Sequence, residues 1–130
     1  MVVAAKSKHR IEAMFRAFAD RTRLRILHLL RDGELCVGDI VSILQLPQAK
    51  VSRHLNYLRK AGLVEVRKQG LWRFYRLHSA RSAFHHKLLD CLGDCFSGVP
   101  GIAADKQRAG KLRESGGCCP QPTTKGRQDA

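Results

Sequence analysis

The sequence predicts a mainly α-helical domain with one β-hairpin, the arrangement called a winged helix-turn-helix. Four amphipathic helical segments come first, two β-rich runs with a basic connection follow, and one more amphipathic helix comes after them. The 130 residues fit one domain, and 44% of them are hydrophobic. No apolar run approaches the roughly 18–20 residues that span a membrane, and the short apolar start is no signal peptide. We therefore expect a cytoplasmic protein.

The first helix is predicted from an apolar stripe with the i, i+3, i+4, i+7 spacing of one helix face. Its members are Ile11, Met14, Phe15 and Phe18. Asp20 is a good N-cap, so a second, leucine-rich helix should begin there and end at Asp32-Gly33.

The next two helices form the predicted helix-turn-helix. A short helix fits Val37–Leu44, and Leu46-Pro47 makes the turn. The second helix of the pair fits Gln48–Lys60 and stops at Gly62. Its inward residues are Val51, Leu55 and Leu58.

The period then changes from helical to β-type. Residues 63–66 and 71–77 are β-rich, and the basic segment 67–70 between them ends in a glycine, which indicates a hairpin turn. A last helix is expected over 82–96, with apolar residues every four positions.

The composition changes after Phe96. Residues 97–130 hold 6 Gly and 3 Pro, and only 104–114 could form a short helix. We therefore expect a folded domain over 1–96 and a flexible tail over 97–130 that carries a vicinal cysteine pair.

Positive charge points to a polyanionic partner. The net charge is +13, and residues 1–77 carry 16 basic against 6 acidic side chains. In a helix-turn-helix the second helix enters the major groove, where Arg, Asn and Gln read bases and Lys and Ser contact phosphates. The predicted DNA-binding residues are Gln48, Lys50, Ser52, Arg53, His54 and Asn56 of this helix, and Arg67, Lys68 and Arg73 of the hairpin. The alternatives are a solvated basic face, or an architectural binder that has no inducer.

Several motifs together resemble the arsenic-repressor (ArsR/SmtB) family over about residues 9–78. They are Phe18-Ala-Asp-Arg-Thr-Arg-Leu-Arg-Ile-Leu27, Gly33-Glu-Leu-Cys-Val-Gly-Asp-Ile40, Val51-Ser-Arg-His-Leu55 and Arg59-Lys-Ala-Gly-Leu-Val64. The resemblance implies a repressor that is a homodimer through its first and last helices. It also implies that the repressor binds a palindromic operator in double-stranded DNA and leaves this DNA when it binds a metal or metalloid.

One inducer pattern of that family is incomplete in this chain. The family's Glu-Leu-Cys-Val-Cys-Asp has two thiols, whereas Glu34–Asp39 has Cys36 and a glycine, Gly38, in place of the second. We therefore expect Cys36 to be a small buried residue.

The other cysteines form two pairs. Cys91 and Cys95 are i, i+4 on the last helix, and Cys118-Cys119 is vicinal in the tail. Because soft thiolates select thiophilic ions, these four are the predicted ligands of a trivalent arsenic or antimony inducer. Zinc or cadmium bound by four thiolates, a thiol-redox response, and a site at His86 and Asp90 are the alternatives.

No enzymatic motif accompanies these features. The sequence has no Cys-x₅-Arg loop, no His-Glu-x-x-His, no phosphate-binding glycine loop and no Gly-x-Ser-x-Gly. The sequence therefore predicts a transcriptional repressor and not an enzyme.

Overall fold

A computed structural model describes residues 2–96 and 98–117. The helices are α1 Val2–Phe18, α2 Arg21–Leu30, α3 Val37–Leu44, α4 Gln48–Lys60, α5 Ala83–Asp94 and α6 Ile102–Ser115, and the strands are β1 Leu35–Cys36, β2 Val64–Gln69 and β3 Trp72–Leu77. The predicted fold class is confirmed. Within the described part of the chain, no helix is both long and apolar enough to cross a membrane.

Local sequence explains the helix boundaries. The Asp20 side chain accepts a hydrogen bond from the Arg23 amide at 3.0 Å, which caps α2 as predicted. Helix α4 ends where the Leu63 amide donates to the Leu58 carbonyl at 3.0 Å across Gly62, whose φ is +83°. This is a Schellman-type end, and the left-handed residue there favours glycine.

The three strands form one antiparallel sheet in the order β1-β3-β2. Gln69 pairs with Trp72, so the hairpin loop is only Gly70-Leu71, and β2 runs three residues beyond the predicted end at residue 66. Arg67 and Lys68 are therefore strand residues of β2 and not turn residues. Strand β1 was not predicted, and its pairing of Cys36 with Phe74 ties the start of α3 to the hairpin.

One apolar core joins the helices to the sheet. Residues of α2, α3 and α4 with less than 5% exposure make up most of it: Ile26, Leu27, Leu29, Leu30, Ile40, Ile43, Leu44, Val51, Leu55 and Leu58. Met14 of α1, Leu92 of α5 and Ala109 of α6 are buried against the same cluster. Because the core holds α4 on its inner side only, its outer side remains available for a partner.

The described part of the tail differs from the expectation. Residues 102–115 form α6, close to the short helix that the sequence allows over 104–114, but this helix packs on α2 and α3 instead of remaining flexible. Ile102, Asp105 and Ala109 are its buried residues, and Asp105 accepts two hydrogen bonds from Arg25 of α2 at 2.7 and 2.8 Å. The domain therefore extends beyond the expected boundary at residue 96, because a buried ion pair anchors α6. Residues 118–130 lie outside the described residues.

Candidate nucleic-acid interface

The outer side of α4 carries most of the predicted base-reading residues. Gln48, Ser52, Arg53 and Asn56 are exposed, and Lys50 is partly exposed. Val51, Leu55 and Leu58 on the opposite side are fully buried, so the orientation of the helix is fixed by the core. A helix held in this way presents a rigid row of donors and acceptors.

A cleft of 730 Å³ separates α4 from the β2–β3 hairpin. The predicted residues Gln48, Ser52, Asn56, Lys68 and Arg73 line it. Arg59 and Trp72 also line the cleft, and sequence reasoning missed both. Trp72 is 40% exposed, which is unusual for so large an apolar ring.

The side chain of His54, which the sequence predicts to contact DNA, is mostly buried between helices. Its side chain is only 16% exposed, and its Nδ1 lies 3.3 Å from Arg23 Nη1 and 3.8 Å from Asp20 Oδ2. Burial is the main cause that lowers the pKa of His54, and the positive charges of Arg23, Lys50 and Arg53 lower it further. The negative charge of Asp20 acts in the opposite direction and raises it. His54 is therefore a packing contact between α4 and the start of α2, in its neutral form at neutral pH.

Arg23 connects three helices at that contact. Its guanidinium donates to the carbonyls of Ala17 and Arg16 at 2.9 Å each, at the end of α1. It also lies over the Tyr57 ring of α4 at 4.1 Å from the centroid. These contacts set the position of α4 relative to α1.

Arg67 also differs from its predicted role. It forms a two-point ion pair with Glu34, with distances of 3.0 and 2.9 Å, and its guanidinium lies 4.5 Å from the Phe74 ring centroid. Because Arg67 donates hydrogen bonds to the Glu34 carboxylate, the pKa of Arg67 is raised. Arg67 therefore fixes the hairpin to the segment before β1, whereas the other two predicted hairpin residues, Lys68 and Arg73, are exposed.

A separate apolar surface runs along α1 and α5. Phe15 is 55% exposed although its ring packs edge-on against Phe84 at 5.1 Å, and Ile11 is 36% exposed. Large apolar side chains grouped in this way are typical of a surface that another protein covers.

The cysteines fall in three places. Cys91 is half-buried in α5, and Cys95 is exposed at the end of that helix; neither forms a disulfide. Cys36 is 1% exposed, as expected, but it takes part in a disulfide and is therefore more than a packing residue. Cys118 and Cys119 lie outside the described residues.

The alternative site at His86 and Asp90 consists of one exposed pair. His86 Nδ1 lies 3.4 Å from Asp90 Oδ2, and both side chains are about two-thirds exposed, at 67% and 68%. Across residues 2–96 and 98–117, no group of three or more His, Cys, Asp or Glu side chains lies close enough to hold a metal ion.

Comparison with known proteins identifies the family. The family model described as "Bacterial regulatory protein, arsR family" matches residues 20–66. The arsenical resistance operon repressor of Escherichia coli is 47% identical over 78 residues, which are 59% of this chain and 67% of that protein. This chain belongs to the arsR family. An uncharacterized HTH-type transcriptional regulator of Methanocaldococcus jannaschii is also 47% identical over 78 residues, 59% of this chain and 88% of that protein.

The solved structures agree with the assignment to the arsR family. A homodimeric winged helix-turn-helix DNA-binding domain from Mycobacterium bovis, a possible ArsR-family transcriptional regulator, matches with a TM-score of 0.60 and 26% identity. The match covers 80% of this chain and 86% of that one. As a member of the arsR family, the protein is a DNA-binding transcriptional regulator and not an enzyme.

Proposed function

We propose that this arsR-family protein is a dimeric repressor that leaves its operator when a trivalent arsenical or antimonial binds its cysteine thiolates. The observation that carries the DNA-binding part is the exposed row on α4 beside a cleft with a basic hairpin. The similarity to the Escherichia coli arsenical repressor supports the choice of inducer.

Two protomers are needed because one recognition helix contacts only a half-site. The proposed dimer interface is the apolar stripe of the exposed residues Ile11 and Phe15 on α1 and the partly buried Phe84 on α5. The similar Mycobacterium bovis domain is homodimeric, which supports this choice. A two-fold dimer would place the two copies of α4 about 34–36 Å apart, one turn of DNA.

Metalloid binding weakens DNA binding only if the inducer prefers the free dimer. Cys91 and Cys95, with Cys118 and Cys119, are the ligand set that the sequence predicts. Cys91 and Cys95 lie on α5, which belongs to the proposed dimer interface. A metalloid bound there would change the distance between the two recognition helices.

A zinc- or cadmium-responsive repressor is the second candidate, since four thiolates also satisfy a tetrahedral ion. A regulator that responds to thiol oxidation is the third, because Cys36 is found in a disulfide.

Fluorescence anisotropy of the reduced protein on DNA from its own promoter separates these candidates. Arsenite, antimonite, cadmium and zinc are each titrated into the complex under a phosphine reductant. Release by the two trivalent metalloids alone supports the proposal. Release by cadmium or zinc favours the second candidate, and release only by an oxidant such as peroxide favours the third. If none of these agents releases the DNA, the proposal fails.

A further inference from the structure

The tip of the β2–β3 hairpin exposes two large apolar residues next to each other. Leu71 is 100% exposed, and Trp72, which follows it, is 40% exposed. Gly70 completes the two-residue loop with a φ of +63°, and a Cβ built on it would meet no atom within 4 Å. A single exposed leucine is ordinary on a protein surface, but a leucine beside a tryptophan on a projecting loop is typical of a contact surface.

Positive charge surrounds this apolar tip and indicates the chemistry of its partner. Lys68 and Arg73 lie directly opposite each other in the register of the hairpin. Like charges in such a cross-strand pair destabilise a sheet. Among the residues that the structure describes, neither side chain has an acidic partner. Repelling charges held around an apolar tip suit a partner that has phosphates outside and stacked bases inside, which is a nucleic-acid duplex.

The position of the tip relative to α4 selects the part of the duplex that it meets. The 730 Å³ cleft separates α4 from the hairpin; Leu71 and the basic residues Arg59, Lys68 and Arg73 line it, and no Asp or Glu does. When α4 lies in the major groove, as the second helix of a helix-turn-helix does, this basic cleft receives the sugar-phosphate strand that borders the groove. Across that strand from the major groove lies the minor groove. The hairpin tip therefore faces the minor groove.

The dimensions of the tip match those of the minor groove. This groove is about 6 Å wide and 7.5 Å deep, and two paired strands lie about 4.8 Å apart. Since Gly70 has no side chain, Leu71 is the one side chain that the loop extends toward the base edges. The minor groove offers little polar information, and proteins that bind it often insert an apolar side chain such as leucine between two base pairs.

We infer that Leu71 is an apolar wedge that enters the minor groove and partly unstacks one base step beside the segment bound by α4. This inference rests on the DNA-binding part of the proposed function and adds a specificity-determining residue to it. Pyrimidine–purine steps such as TA and CA unstack most easily, whereas A-tracts are stiff. The protein should therefore prefer an operator with a pyrimidine–purine step under the hairpin tip, where deformability of the DNA is read and not its hydrogen-bonding pattern.

Leu71→Ser tests the wedge, because a fully exposed side chain can be removed without a loss of core packing. Fluorescence anisotropy on the reduced protein without metalloid should show a roughly tenfold loss of affinity for promoter DNA. The slope of log affinity against log salt concentration should stay unchanged, since no phosphate contact is lost. The matched control is Leu71→Met, which keeps a long apolar side chain and should bind like the unchanged protein. Urea unfolding verifies that both variants are folded.

The base analogue 2-aminopurine locates the unstacked step, because its fluorescence rises when it leaves the base stack. It replaces each adenine of the promoter half-site in turn. The unchanged protein and Leu71→Met should raise the fluorescence at one step, and Leu71→Ser should raise it at none. Replacing that step by an A-tract should weaken binding of the unchanged protein and leave the affinity of Leu71→Ser unaltered.

The outcomes separate this inference from the proposed function. If Leu71→Ser binds promoter DNA as tightly as the unchanged protein, or still raises the 2-aminopurine fluorescence, the wedge is wrong and the repressor proposal stands. Loss of binding to vesicles of anionic phospholipid in Leu71→Ser, with DNA affinity retained, would also overturn the wedge and assign the tip to a membrane surface. If the unchanged protein does not bind its promoter DNA, the proposed function fails and the wedge fails with it.

Discussion

Replacing Asp105 by alanine should undock α6 and destabilise the whole domain. The Asp105 side chain is 3% exposed, and Arg25 donates to its two oxygens at 2.7 and 2.8 Å. Arg108 donates to the same carboxylate at 3.0 Å. The hydrogen bond to Asp105 also raises the pKa of Arg25. An arginine guanidinium is not deprotonated in proteins, so Arg25 stays charged when Asp105 is removed.

The expected loss follows from these contacts. A hydrogen bond between charged groups contributes about 1.5–3 kcal/mol, and removing one partner of a buried ion pair costs about 3–5 kcal/mol. Arg25 keeps its bond to the Leu44 carbonyl at 3.1 Å, and its side chain is 15% exposed. We therefore expect the lower end, a loss of about 3 kcal/mol in the free energy of unfolding.

Urea unfolding at one fixed protein concentration measures this loss, because the stability of a dimer depends on concentration. Asp90→Ala is the matched control, since the Asp90 side chain is 68% exposed and its ion pair with His86 contributes less than about 1 kcal/mol. The reasoning is refuted if Asp105→Ala lies within about 0.5 kcal/mol of Asp90→Ala.

Three further predictions follow from single residues. Lys68→Ala should weaken DNA binding and reduce the magnitude of the slope of log affinity against log salt concentration by about 0.9, as measured by fluorescence anisotropy. An unchanged slope would show that Lys68 contacts no phosphate. Burial, followed by the positive charges of His78, Arg81 and Arg10, lowers the pKa of the fully buried His85, so its ring is neutral in the folded protein. The unfolded chain protonates His85 below about pH 6.5, so the free energy of unfolding should fall as the pH is lowered from about 7 to 5.5. His85→Gln should flatten this fall in urea titrations. An equal fall in both proteins would contradict a neutral, buried His85. Gly62→Ala should destabilise the protein by about 1 kcal/mol or more in thermal melts, because the φ of Gly62 is +83° and Arg81 Nη2 lies 2.6 Å from the new Cβ. The control is Gly110→Ala, which has open space at a helical position and should be neutral or stabilising.

Periodicity accounts for what the sequence could predict. Helices α2, α3 and α4 carry apolar residues at helical spacing, α2 begins after the N-cap Asp20, and α4 ends before Gly62, so their bounds were predicted closely. Strand β1 has only two residues, which have no periodicity, and it exists only because β3 pairs with it.

Long-range partners account for what could not be predicted. On α6, the buried residue between Ile102 and Ala109 is Asp105, and an aspartate in a sequence usually indicates an exposed position. Arg25, which lies 80 positions earlier in the chain, donates two of the hydrogen bonds that make its burial favourable. The same reason applies to Arg67, because its partner Glu34 lies 33 positions away.

The positions of the cysteines could be predicted only in part. Spacing predicted that Cys91 and Cys95 belong together, since both lie on one helix. The sequence does not predict the path of α6, which brings Gly117 close to Asp39 of α3.

The coupling between metalloid and DNA tests the central claim most directly. The dissociation constant for promoter DNA should be measured by anisotropy on the reduced protein, without arsenite and at saturating arsenite. The repressor proposal predicts an affinity at least tenfold weaker with arsenite, a coupling of about 1.4 kcal/mol or more. Equal dissociation constants under both conditions would contradict it.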